Sequence, residues 1–227
     1  MNTFNQFFFG IYPYICLAVF FLGSLVRFDR EQYSWKSDSS QILYDGRLRL
    51  GNILFHVGIL AIFFGHLFGL LTPLWFWDAI GVSHGAKQIF AMVMGGVFGI
   101  IAMIGLIILL QRRLKSERLA ANSTWRDKLV LIWLIITLSL GLLTILVSMG
   151  HTDGEEMVKL MRWAQHIVTF RGSAPAYMED VNILFKLHIF MGMTFFLIFP
   201  FTRMVHVWSG FASVAYLGRA WQLVRRR

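Results

Sequence analysis

Five apolar runs, each about long enough to cross a bilayer, limit what this chain can become. A hydrocarbon core of about 30 Å takes roughly 20 helical residues. The runs fall at about 5–27, 51–73, 87–111, 128–149 and 183–208. In lipid every backbone N–H and C=O must be satisfied within the protein, so such runs fold as helices. Of 227 residues, 57% are hydrophobic and 15% charged, a balance that excludes a soluble domain. Pro73 closes the second run, and Arg112 and Arg113 stop the third. Pro200 lies inside the fifth and should kink it, freeing the carbonyl of Phe196. The expectation is an all-α membrane protein, one domain over 1–227, built as a bundle of five transmembrane helices. The start, Met1-Asn2-Thr3-Phe4, has no positive n-region, so no cleavable signal peptide is expected.

The net charge of +9 reads as membrane topology rather than nucleic-acid binding, because the cations gather between the runs. Segments 27–50 and 112–128 and the tail from Arg203 hold sixteen of the 21 Lys and Arg residues, all on one side of a five-span chain. The other side holds Lys87, Lys159, Arg162, Arg171 and Lys186, while the acidic residues divide evenly. The positive-inside rule then puts the N-terminus outside (periplasmic) and the C-terminus in the cytoplasm. The long outer segment 151–182 contains an amphipathic stretch, 156–170, that suits a short helix on the membrane surface. A lone cysteine, Cys16, can neither form a disulfide within the chain nor hold an iron–sulfur cluster.

Four of the seven histidines lie inside spans: His56 and His66 in the second, His188 and His206 in the fifth. An ionisable ring at that depth is costly, and four confined to two helices point to a ligand set. The helices are antiparallel, so His66 faces His188 near the outer side and His56 faces His206 near the inner side. His56 and His66 lie about 15 Å apart along an ideal helix, and His188 and His206 about 27 Å. Tilt, the Pro200 kink and a haem between each pair of rings absorb that difference better than direct ring contact would. Two bis-histidine b haems fit, one near each leaflet. Imidazoles on two levels cannot share one zinc tetrahedron. Gly58, Gly65, Gly69 and Gly192 beside the ligands would let a flat porphyrin approach the backbone. Arg112, Arg113 and Arg203 are placed to meet haem propionates at the cytoplasmic side. His84, His151 and His166 are expected at the surface. Lys87 is a cation at the outer edge that could hydrogen-bond a quinol oxygen or act as a snorkelling anchor. A haem-free anchor and a small transporter are the other classes to weigh, and the transporter lacks a mid-membrane acidic or paired charge.

FFFGIYPYI (7–15), QYSWKSDSSQ (32–41), NILFHVGIL with FFGHLFGLLTP (52–73), RWAQHIVTF (162–170) and FKLHIFMGMTFFLIFPFTRMVHVW (185–208) are long and idiosyncratic. Through them the chain resembles, over almost its whole length, the gamma subunits of membrane-bound respiratory nitrate reductases. The resemblance implies that His66 and His188 ligate a distal haem, that His56 and His206 ligate a proximal one, and that menaquinol or ubiquinol is oxidised near Gly69 and Lys87. It also implies a multi-pass inner-membrane protein with two cytoplasmic partners, an iron–sulfur beta subunit and a molybdenum-containing alpha subunit; sidedness makes the basic segments 27–50 and 112–128 and the tail after Trp208 their expected docking surface. The loop 79–86 departs most from the family's pattern. Cytochrome b subunits of formate dehydrogenases, hydrogenases or heterodisulfide-reductase-like complexes would share the four histidines, and it is the long resemblance that favours nitrate.

Overall fold

The computed structural model describes residues 3–35, 46–115 and 124–210. Much of the expected docking surface, residues 36–45, 116–123 and the tail from 211, lies outside the described residues. No strand occurs among the described residues, and five helices are long and apolar enough to cross a membrane. They are α1 (Thr3–Arg30), α2 (Gly46–Leu71), α4 (His84–Lys115), α5 (Trp125–Ser148) and the fifth span, Ile183–Phe201. Two shorter helices, α3 (Leu74–Ala79) and α6 (Glu155–Val168), lie between spans, and α7 (Ile183–Ile198) is the regular part of the fifth.

Proline chemistry shapes the first span. Pro13 has no N–H to give the carbonyl of Phe9, one turn earlier. That carbonyl instead accepts from the indole Nε1–H of Trp163 at 2.9 Å. Around it α1 widens into π-helical turns at Phe7–Ile11 and Val19–Gly23, as helices do where the regular ladder is interrupted. The amphipathic outer segment does form a helix, but α6 docks into the bundle instead of lying free on a membrane surface. Trp163, Ala164 and Ile167 are buried against Phe9, Met178 and Phe185, and Met161 is fully buried as well.

The tightest helix pair is α2 with α4, where small residues let two backbones touch. A Cβ on Gly58 would come within 2.6 Å of the Ala102 amide nitrogen, and one on Gly105 would strike the Phe55 backbone. Gly58, expected beside a porphyrin, is therefore part of a helix–helix seam. Helix α4 continues onto α5, where Leu142 presses on Gly99. Helix α5 carries α7, and Trp133 donates its Nε1–H to the Met191 carbonyl at 3.0 Å. Helix α7 also packs on α1. Helices α2, with His56 and His66, and α7, with His188, share no broad packing face among the described residues.

The fifth span departs from expectation. The sequence predicts one helix over 183–208 kinked at Pro200, but α7 stops at Ile198 and gives way to two 3-10 turns, Phe199–Phe201 and Arg203–Val205. Thr202 between them is extended, with φ −120° and ψ 177°. The freed carbonyls are caught by one side chain: Arg27 donates to Pro200 O and Thr202 O, each at 2.7 Å, and to Ser34 O at 2.7 Å. Captured carbonyls make a full break affordable where proline alone would only bend the helix. Helical structure resumes at His206.

Candidate functional site

All four histidines of the expected ligand set meet a backbone carbonyl through Nδ1, although His206 lies beyond the fifth span, which ends at Phe201. His56 Nδ1 lies 2.8 Å from Asn52 O, and His66 Nδ1 lies 2.8 Å from Ile62 O, each one turn back on α2. His206 Nδ1 lies 2.7 Å from Arg203 O. His188 Nδ1 differs in reaching across to a neighbouring helix, 3.0 Å from Thr137 O on α5. A carbonyl only accepts, so each Nδ1 carries the proton and each Nε2 keeps a lone pair. This tautomer, fixed by a backbone acceptor, is how a ligating histidine is usually oriented. By contrast His166 Nδ1 meets the Ser173 hydroxyl, and His84 Nε2 pairs with Asp78.

His66 and His188 face each other between α2 and α7, with ring centroids 5.9 Å apart and planes at 46°. Two metal–imidazole bonds of about 2 Å each plus the inner halves of two rings give roughly 6 Å between centroids. The pair fits an iron held from both sides. His66 is exposed on the bare chain, although it lies on a transmembrane helix. Beside it, a Cβ added at Gly65, Gly69 or Gly192 would meet nothing within 4 Å, so a flat group can approach there. His56 and His206 do not meet as rings among the described residues; His56 packs against Phe55 instead.

Lys87 and Gly69, paired in the sequence reading, are in contact. The ammonium of Lys87, 6% exposed, donates to Gly69 O at 2.8 Å and to the Met161 sulfur at 2.9 Å, and lies 4.3 Å over the Trp77 ring. Gly69 O is one of the last carbonyls of α2, which lack helical partners. Gln165 of α6 takes the next, donating to Leu70 O and Thr72 O at 3.0 and 3.1 Å. Lys87 therefore seals the end of the histidine helix, and of its three N–H donors one remains beyond these two bonds.

At the opposite end, the proposed propionate arginines Arg113 and Arg203 are engaged by one carboxylate. Asp127 binds Arg203 through Oδ1, 2.6 Å from Nη2, and Arg113 through Oδ2 at 3.1 Å. Arg112 is buried. The partners that sequence reasoning missed are Asp127, Met161, Trp77, Thr137 and Gly141. Asp127 had a visible signal, since Thr124-Trp-Arg-Asp127 before an apolar run is a capping box, and Asp127 does accept from the Thr124 amide at 3.0 Å. Gly141 had none.

Residues 5–227 match the family model described as nitrate reductase gamma subunit. The chain is 49% identical to the respiratory nitrate reductase 1 gamma chain of Escherichia coli (strain K12), covering all of both chains. It is 51% identical to the respiratory nitrate reductase 2 gamma chain of the same organism, over 98% of this chain and 97% of that one. The nitrate reductase gamma chain of Bacillus subtilis (strain 168) is 34% identical over 98% of this chain and 99% of its own length. With five spanning helices, these relatives make the protein a multi-pass inner-membrane protein. The chain belongs to the nitrate reductase gamma subunit family.

Proposed function

We propose that this chain is the dihaem cytochrome b subunit of a respiratory nitrate reductase, taking electrons from menaquinol or ubiquinol and delivering them to an iron–sulfur beta subunit and a molybdenum-containing alpha subunit in the cytoplasm. The observation that carries the reading is the common tautomer of His56, His66, His188 and His206, which leaves four Nε2 lone pairs free to ligate. Bound there, b haems would supply one-electron redox chemistry. His66 and His188 would hold the outer (distal) haem, and His56 and His206 the inner (proximal) one. The backbone carbonyls at Nδ1 raise ligand basicity and stop the rings from turning away.

Lys87 is suited to bind the quinol. Its remaining N–H can donate to a quinol oxygen, and its charge, sheltered by Trp77 and Met161, favours an oxygen that is losing its proton. Gly69, with no neighbour where a Cβ would stand, lets a ring approach the backbone beside Lys87. With the N-terminus outside, this end faces the periplasm and quinol protons leave there. At the cytoplasmic end, Arg112, Arg113 and Arg203 are the candidates for propionates, and Arg113 and Arg203 would share their donors with Asp127.

The test is haem b counted per purified chain by pyridine haemochromogen, followed by reduction with a quinol analogue. Two haems, both reducible, are expected. A chain that keeps no haem while a control cytochrome keeps its own would leave a membrane anchor as the reading.

A further inference from the structure

His188 is the one intramembrane histidine whose Nδ1 is held by another helix, and the place where it is held has a second feature. One turn beyond Thr137 on α5, and so on the same face, lies Gly141. A Cβ added there would stand 2.9 Å from His188 Cε1, 3.4 Å from Nδ1 and 3.5 Å from Nε2. The first distance is closer than carbon atoms approach without displacement. Cε1 is the ring carbon between the two nitrogens, so the glycine's bare face lies against the edge that carries both the hydrogen bond and the lone pair.

We propose that Gly141 is a positioning residue for His188: the notch it leaves on α5 fixes the rotation of the imidazole, and with it the angle between the His66 and His188 rings. This rests on the reading of His188 as an iron ligand. The ring has few other ways to move. Its backbone is held in α7, Nδ1 is tied to Thr137 O, and α5 is backed by α4, with Leu142 packed against Gly99. A methyl at position 141 would be relieved by turning the ring, by lengthening the Nδ1 bond, or by both. In a low-spin ferric centre with two imidazole ligands, the g-anisotropy follows the angle between ring planes, and the potential follows ligand hydrogen bonding. The inner pair, His56 and His206, takes its Nδ1 bonds from its own backbone and is untouched by this contact.

The experiment compares the parent chain, Gly141→Ala, and Gly96→Ala in the assembled membrane protein, by haem count, EPR of the oxidised form and potentiometric titration. Gly96 is the control because a Cβ there meets only Ile145 Cδ1 at an ordinary 3.7 Å. A His66→Ala chain identifies which signal belongs to the His66/His188 pair. In Gly141→Ala that signal is expected to shift its largest g-value and its potential, or to be lost, while the other signal stays in place. In Gly96→Ala both should match the parent. Two unmoved signals in Gly141→Ala would overturn the proposal. A parent without haem would instead overturn the functional reading, and this inference with it. Should Gly141→Ala fail to accumulate, solid-state NMR of the labelled parent asks the same question. A through-space contact between Gly141 and the His188 ring is expected, and its absence would refute the placement.

Discussion

At the scale of single residues, the ammonium of Lys87 answers two demands: it closes the end of α2 and it is the cation nearest the proposed quinol. The cap is a bond to Gly69 O at 2.8 Å. A charge-assisted hydrogen bond is worth about 1.5–3 kcal/mol, and about 1.4 kcal/mol is tenfold in rate. Lys87→Ala should therefore slow quinol-dependent haem reduction by roughly tenfold or more. Both haems should remain, and dithionite should still reduce them fully. Stopped-flow reduction by a quinol analogue checks this, and an unchanged rate would leave Lys87 as a cap only. The histidines and Lys87 were legible in sequence because ionisable groups in apolar runs are rare enough to stand out. Their second partners were legible only where local. Asn52, Ile62 and Arg203 lie within a turn of the rings they hold, whereas Thr137 and Gly141 reach His188 through tertiary packing that no local pattern encodes. Gly58 was misread for the same reason, since a glycine at a helix seam and one under a porphyrin look alike in sequence.

At the scale of elements, the number and rough limits of the spans followed from run length, and α6 followed from its amphipathic spacing. What run length could not convey is where freed carbonyls find donors. Phe9 O is released by Pro13 and taken by Trp163, 154 residues away in the chain. Trp163→Phe keeps the ring in the core and removes only the donor. A buried carbonyl left unsatisfied costs about 1–3 kcal/mol, so thermal unfolding in detergent should begin a few degrees lower with the haem spectrum unaltered. The break after α7 has the same logic with a larger consequence, because it aims His206. Arg27 holds Pro200 O and Thr202 O, and the turn Arg203–Val205 that follows leads directly into His206, the proposed ligand. Arg27→Ala should therefore loosen the inner site before the outer one. Haem counting after mild detergent challenge is expected to show loss of the His56/His206 haem while the His66/His188 signal persists. Loss of the outer haem first would contradict this account of the break.

At the scale of the whole molecule, the two ends of the bundle are closed by different chemistry, and this should let their haems be tuned apart. The Lys87 end is closed by hydrogen bonds to the terminal carbonyls of α2, supplied by α4 and α6. The opposite end is closed by charge: Asp127 at the start of α5 binds Arg113 of α4 and Arg203 beyond the α7 break, with the three side chains 8, 13 and 19% exposed. Arg203 O is also the acceptor that orients His206, so Asp127 is linked to the proposed inner ligand through one residue. Asp127→Asn keeps the shape and removes the negative charge, leaving two guanidiniums without their common counter-ion. Breaking a buried pair from one side costs about 3–5 kcal/mol, and partial exposure here puts the expected destabilisation at or below the low end of that range. The sign of the redox effect follows from charge alone. Removing a negative charge favours the form that holds the extra electron, so the inner haem's midpoint potential should rise. The outer haem, at the other end of α2, should hardly move. Potentiometric titration of the two signals decides it: a rise confined to the inner haem supports the linkage, whereas equal shifts at both ends, or none, would mean that Asp127 only fastens α4, α5 and the end of the fifth span together.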